Sequence, residues 1–484
     1  MLAHFIRKEI LDHLLSTRFL VLTVLGVVTI WVSLYDGYAY YRSCLRDYRQ
    51  AQELTDARIR EIIEGPHDSR NQNWREVYFY GFKVHKPPTA MSIFVRGQEQ
   101  TLPRSKAVLG PVRVRRMTRS PASVEPIRGM HPPLDLGLVV QIVLGLFVLL
   151  FTYDAVSGEK ESGTLALVGS YGASVNLLLL GKVVGALFST SVAFLLPILA
   201  GTAVISLLPD VGLSADDLGR LALVLAAFGL YIAAMACAGV LCSSLSRNST
   251  SSFVFALTFW VAITIVAPRL SLIIADEVRP APSAHEMQTE IAGAAQSTQV
   301  ALRKRKADWR DARSEPGNEW WKTPEGRESE LTFSNDANFR TLEARNRGIK
   351  RAREKYSNRA RDRIGFATGL ARLSPAFALS YAAVGLAGTG IDRHQRFEEA
   401  YSQYMAVRDV WYLKTDVKLR LQRALPEKYG EYRWDVSDIP RFSYVEQPPD
   451  SDIGNALPDL IALVAWALLF LVGAAIALSR YDLR

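Results

Sequence analysis

The sequence contains little that would support chemistry of its own. Its three cysteines are too few for a disulfide framework. The seven histidines include no His-x-x-x-His pair and no Cys/His cluster, so the spacing of a metal site is missing. There is no Gly-x-x-x-x-Gly-Lys-Ser/Thr loop, because Gly181-Lys182 is followed by Val183 inside an apolar run. We therefore expect no catalytic residue, no metal and no cofactor in this chain.

Apolar runs, in contrast, are abundant. A transmembrane helix needs about 20 apolar residues to cross about 30 Å of hydrocarbon. The runs predict six spans, at 19–35, 136–153, 183–208, 221–242, 252–274 and 460–478, so that 183–274 holds spans three to five. The mean hydropathy is only +0.07 because very polar segments separate these runs. The sequence therefore predicts a multi-pass membrane protein, with the lipid bilayer among its partners. Pro268-Arg269 predicts a helix break near the end of the fifth span.

The charge of the chain, formally +9, would suggest nucleic acid in a soluble protein. Here the basic residues of the short connections all fall on one side of the six spans, as the positive-inside rule requires of a cytoplasmic face. We expect no nucleic acid partner and a location in the cell inner (cytoplasmic) membrane, with both termini cytoplasmic. Residues 1–18 predict an amphipathic helix on that face.

Two long polar segments, 36–135 and 275–459, then lie together on the extracytoplasmic side, periplasmic or extracellular. The first contains alternating stretches at 77–80 and 92–95, which predict short strands. The second predicts a long helical hairpin, because residues 285–313 and 335–363 carry apolar positions at helical spacing among many charges.

Residues 366–390 are apolar but rich in alanine and glycine. Arg372 would cost about 2.5 to 3.5 kcal/mol near the centre of a membrane helix, and alanine and glycine offer little in return. We therefore predict an external helix that rests on the membrane surface or on the rest of the insertion.

The connection between spans two and three, residues 154–182, is unusual for its charges. It carries Asp154, Glu159 and Glu161, then Gly163-Thr164-Leu165, and it ends at Gly181-Lys182. Such charges are expensive in hydrocarbon, so this connection must be aqueous. An ordinary charged loop between helices remains an alternative interpretation.

The same series resembles the cytoplasmic loop of ABC-2-type transporter permeases that docks on the ATP-binding subunit, although the usual proline near its small-residue turn is here Tyr171-Gly172. Residues 373–376, 392–394 and 438–442 resemble a subgroup with a large extracytoplasmic domain between spans five and six. The resemblance implies a membrane all-α six-helix permease bundle with a mainly helical (α, minor β) extracytoplasmic domain.

The resemblance also implies a site and partners. The residues that would couple to the ATPase are Asp154, Gly158, Glu159, Glu161, Gly163, Thr164 and Leu165. The ATP-binding subunit, expected in two copies, would hold ATP and Mg and would hydrolyse the nucleotide. A second permease, identical or a paralogue, would complete the complex.

Three functions fit these observations. The first is a permease subunit that exports or translocates a substrate of unknown kind. The second is a mechanotransmission complex, which acts on an envelope partner through the outer domain without transport. The third is a membrane-anchored sensor or scaffold, which would have no need of the loop at 154–182.

Overall fold

The structure, a computed structural model, describes residues 2–64, 82–108, 134–165, 175–280, 283–313, 319–432, 435–445 and 450–480. Six helices in these ranges are long and apolar enough to cross a membrane, and the rest is mostly helical, which confirms the predicted fold class. In chain order, spans one to six lie within Thr17–Glu64, Leu136–Glu161, Leu177–Ser206, Ala215–Leu245, Ser249–Val278 and Asp452–Ser479, and the apolar helix of span two itself ends at Thr152.

Span four lies at the centre of the bundle. It packs against spans two, three and six, and side chains such as Val224, Tyr231 and Met235 are fully buried there. Spans one, five and six instead expose rows of leucine, isoleucine, valine and phenylalanine on their outer faces. An apolar exterior of this kind is stable against lipid tails but not against water.

The helix of span one is too long for a bilayer. Its 48 residues cover about 72 Å, so more than half of it projects beyond the hydrocarbon. The projecting part contributes Ile59 and Ile62 to a second hydrophobic core. Two short antiparallel strands, Phe82–His85 and Ser105–Val108, complete one wall of that core.

The segment between these strands corrects one prediction. Residues 92–95 are not a strand, because Ala90–Ile93 forms a buried 3-10 helix. It packs so closely on span one that a Cβ added at Gly37 would lie 2.0 Å from the Ile93 carbonyl oxygen. Close packing on span one decides the conformation of residues 90–93, and the alternation of apolar residues in the sequence does not reveal that packing. The other predicted strand, 77–80, lies outside the described residues.

In the part of the chain that the structure describes, the insertion between spans five and six contains three long helices, one short apolar helix and two single helical turns, Trp320–Lys322 and Pro426–Tyr429. The hairpin helices are Ala284–Asp311 and Pro324–Ala371, and Ile391–Ala424 is the return helix that brings the chain back. Phe397, Tyr401, Tyr404 and Met405 of the return helix fill the second core.

The short helix, Pro375–Leu386, packs on the membrane bundle, and not on the membrane surface or on the rest of the insertion as predicted. This inserted helix packs against spans four and six, and six of its residues are at most 1 % exposed: Ala376, Ala378, Leu379, Ala382, Ala383 and Leu386. Small side chains allow the close approach, as is usual between membrane helices. Arg372, whose cost argued against insertion, bonds Asp459 of span six with Nε to Oδ1 at 2.6 Å.

Span five also differs from its prediction at Pro268. The helix does not break there, because a π segment, Ala262–Val266, precedes it and the proline takes an early position in the following helix, Ala267–Val278. Proline has no backbone N–H to donate. An early position in a helix does not need that hydrogen bond, so the helix continues through Pro268. Span two contains a similar π segment at Val139–Leu144.

Candidate functional site

The loop after span two folds into a short helix. The chain turns through residues 153–156 and forms the loop helix, Ser157–Glu161. Gly163 follows with φ at +73°, a conformation that glycine adopts without strain, so it ends the helix. Gly158 lies inside the loop helix. Because the helix of span three already begins at Val175, the loop is shorter than 154–182.

The end of span four holds the start of the loop helix. Ser243 Oγ accepts hydrogen bonds from the backbone N–H groups of Val156 at 2.9 Å and Ser157 at 2.8 Å. These are helix N-terminal donors that would otherwise lack a partner. In return, Lys160 Nζ donates to the carbonyls of Ser244 at 2.5 Å and Ser246 at 3.1 Å. A lysine placed there also complements the negative end of the span four helix dipole.

Lys182 joins the loop helix to the amphipathic helix, Leu2–Leu14. Its Nζ lies 2.8 Å from Glu9 Oε1 and 2.9 Å from Glu159 Oε1. The lysine side chain is 3 % exposed, and the two carboxylates are 13 % and 15 % exposed. The amphipathic helix and span three are in close contact, because a Cβ added at Gly185 would lie 2.6 Å from Glu9 Cβ. Glu159 is therefore engaged within the chain.

The other two acidic residues reach different spans. Asp154 pairs with Arg18 at the start of span one, with Oδ2 at 3.2 Å from Nη1. Glu161 Oε2 accepts hydrogen bonds from the backbone N–H of Ser249 at 3.2 Å and from its hydroxyl at 2.9 Å. Glu161 thereby places a carboxylate at the N-terminus of span five, where the helix dipole favours negative charge.

The exposed face of the site is small. Glu161, Ser162, Gly163 and Thr164 are exposed, whereas Leu165 is buried. Residues 166–174, which include Tyr171-Gly172, lie outside the described residues. The structure thus brings the predicted residues into one compact loop, in which the stretch from Glu161 to Thr164 is exposed and the Asp154 side chain is partly exposed.

Residues 4–300, more than half of the chain, match the family described as ABC-2 family transporter protein. The chain belongs to this family. As an ABC-2 protein it is a multi-pass membrane protein and the permease component of an ABC transporter, a subunit that is normally not an enzyme and associates with an ATP-binding subunit.

Residues 284–445 of this ABC-2 protein match a domain of unknown function, DUF3526. The match covers the hairpin helices, the inserted helix and the return helix. No curated protein matches the chain. Among the residues that the structure describes, no group of three or more His, Cys, Asp or Glu side chains could hold a metal ion. That ATP and Mg bind a partner subunit stays a prediction.

Sequence reasoning missed Ser243 and Glu9, and it gave Lys182 no role. Lys182 carried a usable signal, because a lysine at the start of an apolar span needs a carboxylate or carbonyl partner. Glu9 also lies on a helix of mixed apolar and charged character, and nothing local indicates that it is half of a buried pair. Nothing in the sequence distinguishes Ser243 from the other small residues of span four.

His13 should make the attachment of the amphipathic helix depend on pH. Burial lowers the pKa of His13 below 6.5, although Glu9 and Asp154 raise it, and its ring lies 5.7 Å from that of Phe151. The attached helix therefore favours the neutral imidazole, so attachment is strongest above about pH 6.5 and weakens as the pH falls towards the lowered pKa.

The measurement is hydrogen–deuterium exchange of residues 6–15, corrected for the intrinsic rate at each pH. Exchange should increase between about pH 7 and about pH 5 in the parent protein. His13→Leu should remove most of this increase. An equal increase in both proteins would assign the effect to other groups, of which Glu9, Asp12 and Asp154 are the nearest carboxylates.

Proposed function

We propose that this ABC-2 permease couples ATP hydrolysis by a separate subunit to the export or translocation of a substrate, and that the loop from Asp154 to Leu165 receives the motion of that subunit. The observation that carries the proposal is the set of bonds around the loop helix. They reach spans one, three, four and five as well as the amphipathic helix.

Such bonding favours transmission over local deformation. A loop that is attached to the bundle only through its own chain would bend when pushed. Here, displacement of the loop helix must break buried hydrogen bonds to Ser243 and the Lys182 pairs, or else move the spans that carry them. Breaking a buried ion pair costs about 3–5 kcal/mol, so movement of the spans is the easier response.

We assign the contact residues from the exposure of the loop side chains. Glu159 faces Lys182, so the acidic contact for basic groups of the ATP-binding subunit is assigned to Glu161, together with Ser162 and Thr164. Asp154 is a secondary contact, because it is more than one-third exposed but already pairs with Arg18.

We assign the loop and both termini to the cytoplasm and the insertion to the opposite side of the inner membrane. The positive-inside distribution supports this orientation, since Arg7, Lys8, Arg18 and Lys160 lie at the loop end of the bundle. The full complex would contain two ATP-binding subunits and a second permease. The exposed apolar faces of spans five and six offer area for such a permease as well as for lipid.

The test is association with an ATP-binding polypeptide. The tagged chain is purified from its native membranes, and bound polypeptides are photolabelled with 8-azido-ATP. Glu161→Lys should reduce the labelled partner by about tenfold, because it reverses the charge of the exposed carboxylate assigned to the contact. Glu161→Gln keeps an acceptor for Ser249 and should lose much less.

A matched control reverses an exposed carboxylate at the other end of the molecule. Glu427→Lys lies after the return helix and should leave the labelled partner unchanged. Equal recovery of the partner with Glu161→Lys and with the parent chain would contradict the assignment of the loop. Absence of any labelled partner from the parent chain would contradict the proposed function itself.

A further inference from the structure

The inserted helix, Pro375–Leu386, touches the π segments of both span two and span five. A π segment shifts the backbone bonding register from i+4 to i+5, and such segments often mark functional positions. In hydrocarbon, a backbone group without a partner costs several kcal/mol, so side chains that bond these segments matter for stability. The inserted helix supplies a side-chain partner to both π segments, to a backbone carbonyl in span five and to a side-chain amide in span two.

Two serines make these contacts. Ser374, the N-cap of the inserted helix, donates its hydroxyl to the carbonyl of Ile263 in the span five π segment at 2.5 Å. Ser380 donates to Gln141 Oε1 in the span two π segment at 2.7 Å. The backbone carbonyl of Gln141 accepts a further hydrogen bond from Tyr231 of span four at 2.8 Å. One short helix is therefore bonded to two spans, each at a point where its helical register changes.

The inserted helix is also continuous with the long helices of the insertion. Hairpin helix Pro324–Ala371 ends three residues before Ser374, and the return helix begins at Ile391. Ion pairs fix both junctions to the spans. Arg372 bonds Asp459 of span six, whereas Asp452 of span six bonds Arg220 of span four and Arg396 of the return helix.

We propose that the inserted helix is the mechanical link that passes relative movement of spans two and five to the insertion, with Ser374 and Ser380 as its positioning residues. The inference rests on the proposed function, because that function supplies the movement. The length of the insertion would convert a small tilt at the inserted helix into a larger displacement at the hairpin turn. Hairpin helix Pro324–Ala371 is about 72 Å long, so a tilt of about 5° at its base moves the far end by about 6 Å.

The experiment measures that far end in the complete complex with its co-purified ATP-binding subunit, in lipid vesicles. Dyes are placed at Lys322→Cys, next to the hairpin turn, and at Leu207→Cys, between spans three and four. The native cysteines, Cys44, Cys237 and Cys242, are buried. Single-molecule energy transfer then compares the dye separation without nucleotide and with ATP plus vanadate. We expect a change of about 5 Å in the otherwise unmodified chain.

The double variant Ser374→Ala with Ser380→Ala should lose at least about half of that change, because both bonds between the inserted helix and the π segments are removed. Its ATP hydrolysis should stay within about twofold of the parent's, since neither serine lies near the loop helix. Ser271→Ala is the matched control, because this buried serine bonds only Pro268 of its own helix. Ser374→Thr keeps the hydroxyl and should keep the movement.

Three results would overturn the inference while the proposed function stands. The first is an unchanged dye separation in a parent complex that hydrolyses ATP. The second is a full change in the double alanine variant. The third is loss of the change in Ser374→Thr or Ser271→Ala to the same extent as in the double variant, which would indicate general loosening of the bundle. A parent chain that binds no ATP-binding subunit would instead contradict the proposed function.

Discussion

Replacement of Lys182 by methionine is expected to detach the amphipathic helix from the loop helix and to abolish binding of the ATP-binding subunit. The change leaves Glu9 and Glu159 facing each other in a site where both are at most 15 % exposed. Removal of one member of a buried ion pair costs about 3–5 kcal/mol, because the remaining charge loses its compensation. Two carboxylates in one site also repel each other, so the contact between the helices should open.

The measurement combines two readouts. Hydrogen–deuterium exchange of residues 6–15 should increase, and the polypeptide labelled by 8-azido-ATP should fall below about one-tenth of its parent amount. The level of the variant in the membrane should remain close to that of the parent, since the spans keep their apolar contacts.

A neutral set of side chains provides the control. The triple variant Glu9→Gln, Glu159→Gln, Lys182→Met removes the charges together, and such replacements are often neutral or stabilising. It should recover most of the attachment and most of the binding. Equal binding by Lys182→Met and the parent would show that Lys182 does not hold the site together. Failure of the triple variant to recover would show that attachment needs the ion pairs themselves and not only the absence of an uncompensated charge.

The spans could be predicted from the sequence because a lipid environment imposes a local requirement. Any stretch that crosses must be apolar over its whole length, and that property is visible without knowledge of the neighbours. The same locality explains the errors. The sequence predicts an external helix at 366–390 because Arg372 is expensive alone, yet its partner Asp459 lies 87 residues further along the chain. Pro268 predicts a helix break because proline lacks a backbone donor, and the π segment that accommodates it has no signature in composition.

The loop illustrates the same limit at the scale of a site. Its charges, its glycines and its position between two spans are evident in the sequence, and the resemblance to ABC-2 permeases rests on them. The partners of those charges cannot be predicted from the sequence, because they are far apart along the chain. Glu9 and Lys182, for example, are separated by 173 residues. Glu159 and Glu161 look equivalent in the sequence, but only the fold shows that one is buried against a lysine and the other is exposed.

Replacement of Glu99 by leucine is expected to destabilise the second core more than any surface change. Glu99 Oε1 lies 2.8 Å from Lys86 Nζ and 2.6 Å from Arg393 Nη1, and these three side chains are at most 4 % exposed. The group ties residues 82–108 to the return helix. Leucine would remove the carboxylate that Lys86 and Arg393 both contact, and removal of one member of a buried ion pair costs about 3–5 kcal/mol. The unfolding midpoint in detergent, followed by tryptophan fluorescence, should fall accordingly.

Glu398→Leu is the matched control, because it also removes a carboxylate that pairs with a lysine, Lys106, but at a site one-third exposed. A partly exposed pair contributes about 0–1 kcal/mol, so this variant should unfold close to the parent.

Acid should separate the variants further. Burial raises the pKa of Glu99, but the attraction of Arg393 and Lys86 outweighs it and holds the pKa below 4.5. The carboxylate therefore stabilises the fold above about pH 4.5, and this stability is lost as the pH falls through the lowered pKa. Glu99→Leu should remove that part of the acid dependence, whereas Glu398→Leu should keep it. Equal unfolding midpoints and equal acid dependence in the two variants would mean that the buried group contributes no more than a surface pair.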